Sequence, residues 1–112
     1  MKLYDKYKIL KEKNNSKKYL FKSGNFYIFL EEDAISLSEV TTLKLTSFGN
    51  IVKCGFPVNS LEKYMKIFMN IGLEVVVIER YQDIIEELES VDLNGLSKLE
   101  LILIIERFMN AI

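Results

Sequence analysis

The sequence predicts an α/β fold, and three observations carry that expectation. Segments with helical apolar spacing alternate with short aromatic and β-branched runs, turn residues fall between them, and 112 residues at 49% apolar composition suffice for one packed core. Charged residues make up 28% of the chain, the proportion of an ordinary soluble globular protein.

Leu3, Tyr7 and Leu10 recur at helical spacing with Ile9 alongside, so residues 2–13 read as an amphipathic helix that Asn14, Asn15 and Ser16 stop. Residues 19–22 and 26–30 are aromatic and β-branched enough for two strands, hinged at Ser23, Gly24 and Asn25. Glu31, Glu32 and Asp33 suit the first turn of a helix because carboxylates offset its dipole, and Ala34, Ile35, Leu37 and Val40 form its buried side. Residues 43–47 and 51–55 flank the turn signal Gly49-Asn50 and suggest a hairpin. After Pro57, Asn59 and Glu62 have capping-box spacing and open a helix that Gly72 ends. Val75 to Ile78 is an unbroken apolar run, which predicts an inner strand. Residues 82–90 form one further helix candidate, and Ser97 with Glu100 opens another from about residue 98 to 112. That last helix is apolar around most of its circumference and needs cover on more than one side.

Composition excludes several functions. The chain has no histidine and one cysteine, which removes Cys/His zinc sites, internal disulfides and the common His-based acid–base mechanisms. Cys54 reads as a small buried thiol, since no histidine is present to activate it. No Gly-x-x-x-x-Gly-Lys-Ser/Thr loop occurs, so nothing points to a Walker-type ATPase, and no cofactor or metal is implied. Glu31, Glu32 and Asp33 are consecutive and point in different directions, so dipole compensation explains them better than metal binding. The expectation is a non-enzyme. The absence of a signal-like or membrane-spanning apolar run makes the cytoplasm the expected location. Charge is uneven: residues 1–24 carry eight lysines against two acids, whereas residues 81–112 carry seven acids against two basic residues. The basic stretch is either a phosphate-neutralising face or a solvated helix surface.

Residues 21–34, FKSGNFYIFLEEDA, with residues 54–64, CGFPVNSLEKY, resemble the N-terminal mismatch-recognition domain of the MutS family of DNA mismatch repair proteins. The resemblance covers roughly residues 4–80 and implies a mixed β-sheet flanked by helices, with residues 81–112 as a C-terminal helical extension. In that family a Gly-x-Phe-Tyr-Glu strand inserts its phenylalanine and glutamate into the DNA minor groove. Here the run is Gly24, Asn25, Phe26, Tyr27, Ile28, so the aromatic wedge is kept and the hydrogen-bonding carboxylate is lost. Where the family usually has Tyr-His-Ala after the proline, this chain has Val58, Asn59 and Ser60. A shorter similarity links residues 84–105 to the extreme C-terminal helical end of the bacterial MutS ATPase domain, which lies at a subunit contact.

The resemblance implies a stand-alone, ATP-independent module in a mismatch-repair setting that contacts double-stranded DNA without strong mispair discrimination. Phe26, Asn25, Lys22, Lys17 and Lys18 are the expected DNA-contacting residues. For Phe26 the alternative is an ordinary half-buried strand aromatic. The competing function is a protein-interaction module that self-associates or binds a full-length MutS subunit, with Ile102, Ile105, Phe108 and Met109 as the interface.

Overall fold

The computed structural model describes residues 2–91. Along them run α1 (Leu3–Lys13), β1 (Lys18–Ser23), β2 (Phe26–Leu30), α2 (Glu31–Val40), β3 (Thr46–Phe48), β4 (Ile51–Pro57), a 3₁₀ turn (Val58–Ser60), α3 (Leu61–Asn70), β5 (Val75–Ile78) and α4 (Tyr81–Val91). The helix expected from about residue 98, with Ile102, Ile105, Phe108 and Met109, lies outside the described residues.

The fold is α/β, a mixed five-stranded sheet flanked by helices, in the order β3-β4-β2-β1-β5. Strands β3, β4, β2 and β1 pair antiparallel, and β5 pairs parallel to β1. Here the structure corrects the sequence reading. Among the described residues Val75–Ile78 is an edge strand, and the middle of the sheet is β2. Val75, Val76 and Val77 are each only half-buried, so the apolar run reflects partial cover of both faces and not a neighbour on each side.

The chain divides into two compact units. One, Ser16–Ile78, holds the whole sheet with α2 and α3. Its core lies on one sheet face, where Leu20, Tyr27, Phe29, Cys54 and Phe56 meet Ala34 and Leu37 of α2 and Phe68 of α3. Aromatic contacts run through it: Phe56 stacks on Tyr64 at 4.3 Å between ring centroids, and Phe29 meets Phe68 edge-on at 5.5 Å. The second unit joins α1 to α4, with the Lys6 ammonium 4.9 Å from the centre of the Tyr81 ring. Burial holds the Lys6 pKa below the ordinary lysine value. At the start of α4 the Asp83 carboxylate accepts the backbone N–H groups of Glu79 and Arg80 at 2.8 and 2.9 Å. Although burial alone would raise the Asp83 pKa, these bonds and the Arg80 guanidinium hold it below the usual carboxylate value.

The expected capping box of α3 does not form. Asn59 sits inside the 3₁₀ turn, the helix begins at Leu61, and Ser60 at its N-cap makes no side-chain cap bond. The other end behaves as expected: the N–H of Gly72 bonds the Met69 carbonyl and that of Leu73 bonds the Phe68 carbonyl, the paired bonds of a Schellman cap.

Candidate nucleic-acid interface

Ser23 pairs directly with Phe26, leaving Gly24 and Asn25 as a two-residue hairpin loop. Gly24 has φ +59° and Asn25 is not a positive-φ residue, the pattern of a type II′ turn, which needs glycine in its first central position. The Asn25 carbonyl accepts the Val58 N–H at 2.9 Å, tying the loop to the end of β4. This turn fixes the register of β2, and alternation along the strand then decides which side chains face outward. Tyr27 and Phe29 enter the core. Phe26 and Ile28 take the opposite face, where Phe26 is 51% exposed.

Beside Phe26 the open face forms a groove of about 310 Å³. Its walls include Phe26, Ile28, Ser23, Lys44, Thr46 and Lys53. Lys53 pairs with Leu30 of β2 and with Thr46 of β3, which aligns it with the Phe26 and Ile28 side of the sheet. Gly55 pairs with Ile28, and a Cβ there would overlap the Tyr27 carbonyl oxygen and lie 2.9 Å from Ile28 Cγ2. A bare Cα is therefore required for β4 to approach β2, and it keeps the floor of the groove low.

The lysines expected from the sequence are placed differently. Lys22 pairs with Tyr27 and so belongs to the sheet face opposite Phe26. Lys18 Nζ stands 3.9 Å from the buried Asp33 carboxylate, and Lys17 Nζ stands 3.9 Å from Glu74 beside β5. The structure brings Phe26 together with Lys44 and Lys53, a pairing the sequence reading missed. The signal was in the hairpin register, since β3–β4 pairing carries the two lysines, nine residues apart in sequence, to one groove.

Where β2 turns into α2, its neighbours continue past it. Lys18 N–H bonds Glu74 on the β5 side, so by alternation Tyr19 N–H faces the side that β2 has left, and there Asp33 Oδ2 accepts it at 3.0 Å. On the other flank Glu31 Oε1 accepts the Val52 N–H of β4 at 2.9 Å. Glu31 adopts φ +50°, a left-handed conformation that costs a non-glycine residue about 1–2 kcal/mol, so this bond holds a strained corner. Two of the three acids read as dipole compensation thus finish the sheet.

Cys54 is 2% exposed, with its thiol 3.5 Å from the Ala34 carbonyl oxygen. Burial pushes its pKa from 9.0 up to about 11. Because the fold disfavours the thiolate, the unfolded chain ionises first as pH rises. The associated stability, about 2–3 kcal/mol, is complete below pH 9 and lost progressively as pH rises to about 11. The expected result is a thiol that resists a disulfide reagent at pH 8 until the protein unfolds; labelling of the native protein at the rate of free cysteine would contradict it. No group of three or more Cys, Asp or Glu side chains among the described residues is arranged to hold a metal ion. None of the described helices is long and apolar enough to cross a membrane.

Comparison with known sequences places this geometry in a lineage. Residues 2–106 match the family described as MutS domain I. The chain belongs to that family. It is 34% identical over 80 residues to the DNA mismatch repair protein MutS of Chlamydia pneumoniae, a match covering 71% of this chain and 10% of that protein. It is 34% identical over 74 residues to MutS of Thermosipho melanesiensis, covering 66% of this chain and 9% of the relative. The corresponding match to MutS of Ehrlichia chaffeensis is 32% over 72 residues, or 62% and 9%. This MutS domain I chain therefore spans about a tenth of the length of the curated relatives it matches. Residues 21–34 and 54–64 quoted above now have a structural meaning: the first spans the end of β1, the hairpin loop, β2 and the start of α2, the second the end of β4, the 3₁₀ turn and the start of α3.

Proposed function

We propose that this chain is a non-catalytic DNA-binding module of a mismatch-repair setting, which presents Phe26 to the minor groove as a wedge. The observation that carries the reading is the half-exposed Phe26 ring on the middle strand of the sheet, at the edge of a groove with two lysines. An apolar ring inserted at a base step partly unstacks it and kinks the duplex, at a cost of about a few kcal/mol that phosphate contacts must offset. Membership of the MutS domain I family supports that use of the strand.

Ile28 sits beside Phe26 and offers no hydrogen-bonding atom, so little preference among mispairs is expected. Asn25 at the hairpin tip remains a contact candidate, and Lys17, Lys18 and Lys22 add to the attractive field over the sheet unit. Phe26→Ala is expected to weaken binding to a mismatched or kinked duplex by roughly tenfold, about 1.4 kcal/mol, with no change in melting temperature. Ile28→Glu is expected to raise discrimination between mismatched and matched DNA. Fluorescence anisotropy with both duplexes over a salt series measures both effects. Absence of binding to any duplex at low salt would sink the reading.

A further inference from the structure

We infer that the outer edge of β5 pairs with the same edge of a second copy of this chain, antiparallel about a two-fold axis at Val76. This pairing goes beyond the DNA-binding reading and does not depend on it. The Lys18 N–H bonds the Glu74 carbonyl, so by alternation Val76 and Ile78 also turn their backbone groups toward β1, while Val75 and Val77 turn theirs away. Among the described residues no strand lies on that side. The N–H groups next in line are engaged at both ends: that of Leu73 bonds the Phe68 carbonyl at 2.9 Å, and that of Glu79 bonds Asp83 Oδ2 at 2.8 Å. The open row is therefore two residues long, each with one N–H and one carbonyl.

Two open residues select the occupant. A longer foreign strand would find only Val75 and Val77 to pair with and would leave its own groups beyond them unmatched. A second copy fits group for group, because Val75 against Val77 and Val77 against Val75 makes four hydrogen bonds and satisfies the row on both chains. Side chains agree with that register. Val76 meets Val76 at the axis and valines face valines beside it, the β-branched cross-strand pairs that stabilise sheets. A shift by one residue would turn open groups toward engaged ones and set Glu74 against Glu79, two like charges. Centred on Val76, Glu74 instead lies diagonal to Arg80 of the second copy, and this opposite-charge pair forms twice, beside the contacts that Glu74 and Arg80 already make with Lys17 and Asp83. On the α3 face a groove of about 290 Å³, lined in part by Met65, Met69, Leu73 and Val75, opens at this edge, with Met69 77% exposed. Val77 of the second copy, opposite Val75, covers its mouth.

The test is sedimentation of the full chain over a concentration series, with half of the population expected as dimer on the order of 100 μM. Val77→Pro removes an N–H that faces away from β1, so the bonds to β1 survive. This variant is expected to melt within about 5 °C of the parent and to need about tenfold more protein to dimerise. Val76→Cys reports the register even if the proline variant does not fold, since Cα atoms facing each other across a non-hydrogen-bonded antiparallel pair are ~4.5 Å apart, within the span of a disulfide. Mild oxidation is expected to convert Val76→Cys into a covalent dimer. Val75→Cys, whose counterpart lies two residues out of line, is expected to stay uncrosslinked, and the native Cys54 is buried. Equal crosslinking at both positions, or a dimer unchanged in a folded Val77→Pro protein, would overturn the inference. So would a chain that is still monomeric at about 1 mM. In that case slow exchange of the Val75 and Val77 amides would mean that the chain covers its own edge, and fast exchange that the edge awaits a strand from another protein.

Discussion

Gly55→Ala is expected to destabilise the protein by about 3 kcal/mol or more, lowering the thermal midpoint by roughly 15 °C. The added carbon would meet the Tyr27 carbonyl oxygen and the Ile28 Cα at 3.1 Å, both of them backbone atoms that cannot move aside without parting β2 from β4. Gly24→Ala makes a useful contrast. No atom lies within 4 Å of a Cβ there, so only the left-handed backbone conformation is strained and the cost is about 1–2 kcal/mol. Thermal melts of the two variants separate overlap from conformational strain. A Gly55→Ala protein melting within about 2 °C of the parent would show that the strands yield easily, and the argument for a low groove floor would go with it.

Asp33→Ala is expected to cost about 3 kcal/mol, because Asp33 is completely buried and holds the Tyr19 N–H at the point where β1 outruns β2. Its removal also leaves the Lys18 ammonium without the carboxylate 3.9 Å away. Asp33→Asn retains one carbonyl acceptor in the same place and should recover more than half of the loss. Urea denaturation checks this through the midpoint at constant slope. If the alanine and asparagine variants unfold at the same urea concentration as the parent, the carboxylate is not what finishes the strand.

Element identity was legible in the sequence because it is written locally. Leu3, Tyr7 and Leu10 at helical spacing gave α1, Gly24-Asn25 gave the hairpin, and Gly72 gave the end of α3. Neighbour relations were not local and were misread. Four consecutive apolar residues, Val75 to Ile78, report cover on both faces, yet nothing in them reports whether another strand lies beyond, and among the described residues β5 is an edge. Glu31 and Asp33 illustrate the same limit. Their position at a helix start was visible, but their partners, Val52 and Tyr19, are 21 and 14 residues away and come into reach only through the sheet. At the candidate site, the motif singled out Phe26, while its cationic neighbours Lys44 and Lys53 became visible only with the β3–β4 register.

A ring driven between base pairs is pushed back by the stack it opens, so its mounting matters as much as its shape. Phe26 belongs to a strand with two others on either side, and the next residues in line, Tyr27 and Phe29, are keyed into the aromatic core behind it. Sliding β2 by one residue would drag both rings into solvent, and rolling it would break ladders on two flanks. An isolated hairpin has neither restraint. In the proposed wedge role, load on the Phe26 ring would spread across the whole sheet, and in a contest of stiffness between this mounting and a flexible base step the duplex would be the partner that bends.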